Sequence, residues 1–136
     1  MKTAVDSSVL LDVLTADDKF GERSRKALKE AYDRGALVAC DVVWAETFAC
    51  SDETDGIVEA LDLLGVRFEP LGREAAQLAA KLWRAHRKAS SVGRKRLIAD
   101  FLVGAHAQLQ ADLLLSRDRG FYRTAFRALR VLDPSK

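Results

Sequence analysis

The 136-residue chain has two cysteines, two prolines, two histidines and one methionine, and these scarcities close off whole classes of protein. Two cysteines build no disulfide framework. Cys40 and Cys50 also lack the Cys-x-x-Cys spacing of a zinc or redox site, so both read as small buried hydrophobes. His86 and His106 read as surface or packing residues. No apolar run approaches the ~20 residues that span a bilayer. The opening MKTAVDSSVLLDVL carries acids where a signal peptide needs an unbroken apolar segment, so the expected location is the cytoplasm, with no membrane partner. Low-complexity tracts and internal repeats are missing too. A composition of 49% hydrophobic and 31% charged residues suits a folded chain, and the length suits one domain over residues 1–136.

What is present is charge, unevenly placed. Residues 1–70 carry eight Lys/Arg against fifteen Asp/Glu, whereas residues 71–136 carry fourteen against five. The segment RAHRKASSVGRKR (84–96) holds six cations and no acid. Such a concentration fits either a solvated helix face with an exposed loop or a phosphate-binding face.

Hydrophobic periodicity gives the fold class. Thr3-Ala4-Val5, ALVA after Gly35, VRFEPL, DLLLS and LRVLD read as short strands, mostly buried. Between them, helical patterns run from Ser7-Ser8 onward, from Glu22 to Arg34, through VVWAETFAC, from Ile57 to Leu64, from Arg73 to Ala89 and from LIADFLVGA to about Gln110, with a short helix in RDRGFYRTAF. In the second helix Ala27, Leu28, Ala31 and Tyr32 point inward and Gly35 caps the end; Asp41 caps the third helix, and Asp12 sits on the surface of the first. Trp44 and Trp83 belong to core or interface. Alternation of this kind predicts an α/β domain with helices on both faces of a mostly parallel sheet.

One residue breaks the pattern. LIADFLVGA is apolar on every side except at Asp100, and a carboxylate there needs compensation. It either faces the amides of its own first helical turn or shares a cation with other acids. The layout supplies those acids, because parallel sheets bind ligands outside the carboxyl ends of their strands. Asp6 follows the first strand, Glu46 stands on the helix after the second, and Asp118 follows DLLLS. Four carboxylates at one edge repel unless a divalent cation joins them.

VDSSVLLD with Asp6, VVWAET with Glu46, LIADFLVGAHA with Asp100 and LLLSRDRGFY with Ser116 and Asp118 together resemble the PIN domain, from residue 3 to about residue 132. The length resembles the small VapC-like toxins of toxin–antitoxin pairs. The resemblance implies a three-layer α/β/α fold and a Mg²⁺- or Mn²⁺-dependent ribonuclease. It makes Asp6, Glu46, Asp100 and Asp118 the acidic quartet, with Asp6, Asp100 and Asp118 as metal ligands and Ser8 and Ser116 as supporting hydroxyls. Cys40-Asp41 departs from the proline or serine common in that family before the glutamate.

In such an enzyme the ion activates a water for attack on an RNA phosphodiester, and Glu46 either ligates or orients that water. Arg94, Lys95, Arg96, Arg117 and Arg119 flank the acids and are the candidate RNA contacts, although Arg96 or Arg119 could instead pair with an acid of the site. Phe121 and Tyr122 either stack on a base or pack the short helix onto the sheet. The expected partners are RNA, a cognate antitoxin and a second copy of the chain. A receiver-like domain fits less well, since Asp6 is followed by Ser7-Ser8 and no lysine stands at 116–120. The other rival is a non-catalytic PIN-like module that binds RNA or protein.

Overall fold

The computed structural model describes residues 1–50, 54–89 and 96–136. In chain order the elements are β1 (Lys2–Val5), α1 (Ser7–Leu14), α2 (Gly21–Arg34), β2 (Ala36–Ala39), α3 (Asp41–Ala49), α4 (Thr54–Leu64), β3 (Val66–Phe68), α5 (Arg73–Ala89), α6 (Ile98–Gln110), β4 (Leu113–Leu115), α7 (Arg119–Ala125) and β5 (Val131–Leu132). The strands form one five-stranded sheet in the order β3-β2-β1-β4-β5, and every pairing is parallel. Helices cover both faces, giving the expected three-layer α/β/α arrangement. Short apolar strands suit this position, because a strand buried on both faces has no polar side to show. Val5, Leu37, Ala39, Leu113, Leu114 and Leu115 are all buried.

The topology decides where chemistry can occur. From β1 the chain winds outward through β2 to β3, then returns to place β4 on the other side of β1. The reversal lies between β1 and β4, and the crevice beyond their carboxyl ends is the natural ligand position in an open parallel sheet. β1 and β4 run in register from Thr3 opposite Leu113 to Val5 opposite Leu115, which brings Asp6 beside Ser116. α6 packs against α5, β1 and β4, with Phe101, Val103, Gly104, Ala105, His106 and Ala107 buried. Gly104 lets the Phe126 ring approach closely, since a Cβ there would lie 2.3 Å from Phe126 Cε2.

Several local expectations are corrected. Tyr32 is more than half exposed and rests its ring on Gly65 rather than pointing into the core. Cys40 is buried as expected, but Cys50 ends α3 at the surface. Asp41 is the first residue of α3 and Cys40 its N-cap; the Asp41 carboxylate accepts from the Leu71 backbone N–H instead (3.3 Å). Asp12 is buried, with a relative exposure of 4%. The reason lies 105 residues along the chain: Arg117 donates from Nε (2.8 Å) and Nη2 (3.0 Å) to its two carboxylate oxygens.

Candidate functional site

Asp6 leaves β1 in an extended conformation and caps α1, its Oδ1 accepting from the Ser7 backbone N–H at 2.8 Å. Its Oδ2 accepts from Ser116 Oγ at 2.7 Å, and Ser116 Oγ in turn accepts from the Asp118 backbone N–H at 3.0 Å. One buried hydroxyl thus ties the end of β1 to the turn after β4. Burial raises the Asp6 carboxyl to about 6; the hydrogen bond from Ser116 opposes that rise, and the charges of Glu46 and Asp100 reinforce it. Glu46, on the second turn of α3, accepts from Ser7 Oγ at 3.2 Å. Partial burial and the charge of Asp100 raise its carboxyl as well, against the hydrogen bond from Ser7.

Asp100 stands in the first turn of α6, as the simpler reading of LIADFLVGA required. Its charge also acts on Asp6 and Glu46, and Arg96 lies within ion-pair distance of it. Asp118 is the N-cap residue of α7. Arg96 donates to its carboxylate from Nη1 (2.5 Å) and Nη2 (3.3 Å), and Nη1 lies 3.9 Å from Asp100 Oδ2. The Arg96 guanidinium sits 4.4 Å from the centroid of the Phe121 ring, and its backbone carbonyl accepts from Trp83 Nε1 at 3.2 Å. Phe121 is therefore a packing residue: it lies edge-on to both Phe101 and Tyr122. The Tyr122 phenol is pushed far above its ordinary range by burial and then by the charges of Asp6, Asp100, Asp118 and Glu46.

The donor set is all oxygen and all anionic, which in kind fits a hard divalent cation. Its spacing is more open than a closed metal cage. Among the described residues no three His, Cys, Asp or Glu side chains stand together at metal-holding distance. Asp118 is drawn toward Arg96 and Asp6 toward Ser116. A cavity of about 530 Å³ lies elsewhere, between α2 and the face of β1, β4 and β5, and none of the four acids lines it.

The remaining predicted residues divide. Ser116 supports Asp6, but Ser8 accepts from the Arg117 backbone N–H at 3.4 Å; the hydroxyl that reaches an acid of the site from α1 is that of Ser7. Arg117 is bound to Asp12, with its guanidinium 4.1 Å from the Phe20 ring centroid, and Ser24 Oγ donates to Asp12 Oδ2 at 2.8 Å. Arg119 opens α7 beside Asp118. Arg94 and Lys95 lie outside the described residues. His106 is buried away from the acids, its Nε2 2.9 Å from Glu69 Oε1, and Lys2 and Gln110 also bond Glu69. Burial opposes the charge on Glu69, but Lys2 and His106 hold its carboxyl below the usual range, and burial lowers the His106 imidazole.

The sequence matches the family profile described as PIN domain over residues 3–127. No curated protein is similar enough in sequence to match. Solved structures do resemble the fold. VapBC2 from Rickettsia felis, bound to a DNA fragment from its promoter, superposes with a TM-score of 0.72 at 14% identity, covering 98% of each chain. A toxin–antitoxin complex from Klebsiella pneumoniae gives 0.67 at 14% identity, covering 97% of each. VapC20 from Mycobacterium tuberculosis, a sarcin–ricin loop cleaving toxin, gives 0.58 at 16% identity, covering 82% of this chain and 86% of its own.

Proposed function

Because the chain belongs to the PIN domain family, we propose that it is a Mg²⁺- or Mn²⁺-dependent endoribonuclease, the toxin of a VapBC-like pair held in check by a cognate antitoxin. The carrying observation is that Asp6, Glu46, Asp100 and Asp118, from four separate elements, are tied together at the sheet's reversal point: Ser116 bonds both the Asp6 carboxylate and the Asp118 backbone, Ser7 bonds Glu46, and Arg96 reaches both Asp118 and Asp100. Such crowding of like charge is costly for a fold and useful for holding a cation.

Asp6, Asp100 and Asp118 would hold the ion, with Glu46 beside it. When bound, a divalent cation lowers the pKa of water and offsets charge developing on a phosphodiester. The chain's own hydroxyls fix the acids: Ser116 holds Asp6 and the 116–118 turn in one arrangement, and Ser7 orients Glu46. Arg96 and Arg119, with Arg94 and Lys95 in the basic segment, supply phosphate contacts that carry no base sequence. The aromatic patch of Trp44, Phe48 and half-exposed Phe68 on α3 and β3 is the surface proposed to pair with a second copy.

The test is incubation of the purified chain with structured RNA. Cleavage is expected with Mg²⁺ or Mn²⁺, none with a chelator, and none in Asp6→Asn. A chain that binds RNA but never cuts it would be a binding module, and cleavage that persists in Asp6→Asn would overturn the assignment of the site.

A further inference from the structure

The cation beside these acids belongs to the protein. Arg96 directs two guanidinium nitrogens at Asp118 and one of them toward Asp100, so a single side chain bridges two of the four carboxylates. Its seat is built from three elements. Phe121 of α7 carries the guanidinium on its ring face, Trp83 of α5 fixes the Arg96 carbonyl, and Phe101 of α6 sets the Phe121 ring edge-on. A solvated surface arginine needs none of these supports; cation–π seating and a bidentate fork together hold a guanidinium at a chosen place.

Resting on the metal-dependent reading above, we propose that Arg96 is a resident counter-cation of the acid pocket that competes with a divalent ion for Asp118 and Asp100. The competition has a direction. With Arg96 in place the pocket is partly neutralised and Asp118 is turned toward the guanidinium, so an incoming ion must displace it before that carboxylate is free. A planar fork released from a carboxylate matches a phosphate equally well. Displacement by the ion would therefore deliver a phosphate-binding group to the pocket at the moment it is charged for reaction, making RNA and ion each favour the other's binding. Removing Arg96 should accordingly strengthen ion binding while weakening the response to RNA.

The test measures Mn²⁺ binding directly, from the paramagnetic resonance signal of the free ion, in the RNA-free full chain at neutral pH. Arg96→Gln is expected to bind Mn²⁺ about ten-fold more tightly than the unsubstituted chain, the scale of one charge-assisted contact removed. Phe121→Leu, which keeps the charge but removes its seat, should fall between the two and serves if Arg96→Gln does not fold; circular dichroism checks the fold of each. Asp6→Asn should abolish binding in either background, placing the ion among these acids. In cleavage assays Arg96→Gln should reach half-maximal rate at lower Mn²⁺ but with no gain in maximal rate. Binding by the unsubstituted chain with no tightening in Arg96→Gln or Phe121→Leu would overturn the counter-cation role and leave the metal-dependent reading intact. No binding by any of the variants or the unsubstituted chain would overturn both.

Discussion

Replacing Asp12 by Asn tests whether a charge pair remote in sequence holds the turn that carries Asp118. The Asp12 side chain is 5% exposed and accepts three bonds, two from Arg117 and one from Ser24. Asparagine keeps the shape but offers N–H groups where a carboxylate oxygen met donors, and leaves the guanidinium without its counter-charge. Breaking one side of a buried pair costs about 3–5 kcal/mol, and because Arg117 remains 30% exposed we take the lower end, about 3 kcal/mol. Against a total stability of about 5–15 kcal/mol that is a large fraction. For a domain of this size it corresponds to a fall in Tm of roughly 10 °C, read by calorimetry, with a matching drop in urea midpoint at unchanged slope. The double variant Asp12→Asn with Arg117→Met should recover a good part of the loss, because the stranded charge is gone. A fall below about 3 °C in the single variant, or a double variant that loses as much as both singles added, would refute the reasoning.

Three further outcomes are expected. Asp6 has a folded pKa of about 6 against 3.8 in the unfolded chain, so its contribution is fully present below pH 3.8 and lost as pH rises through 6. In metal-free buffer the chain should therefore lose about 2–3 kcal/mol between pH 4 and 7.5 that Asp6→Asn does not lose, and parallel pH curves for the two would contradict this. Gly104→Ala sets a methyl 2.3 Å from the Phe126 ring and should cost about 1–3 kcal/mol in thermal melts, an effect that Phe126→Leu in the same chain should relieve. Ser7→Ala removes the hydroxyl that donates to Glu46 and should lower the cleavage rate severalfold with little change in Tm, whereas Ser8→Ala should leave cleavage nearly untouched.

The parallel sheet was legible because its strands are short runs of apolar residues set between helices, a pattern that belongs to strands covered on both faces. α5 was legible to its ends, Arg73 to Ala89, since its apolar stripe repeats without interruption. Asp6 and Asp118 were legible as strand-end residues. Asp12 was not, because the reason it can be buried is Arg117, and no local period reveals a partner on another element. Ser7 and Ser8 show a finer limit: both lie in the first turn of α1, and which hydroxyl meets Glu46 depends on the rotation of that helix against α3. The Glu69–His106 pair carried one faint signal, a histidine inside the otherwise apolar VGAHA, which needed a buried partner that sequence alone did not name.

The central position of β1 governs when the pocket can exist during synthesis. β1 waits for β4 to lie beside it, so Asp6 acquires its bond from Ser116, and its neighbour Asp118, only after more than a hundred further residues have been joined. Pairing over so long a span is among the slow, late steps of folding. A chain made only as far as β3 accordingly carries Asp6 and Glu46 but neither Asp100 nor Asp118, and the crevice forms only once β4 and the turn after it have been added.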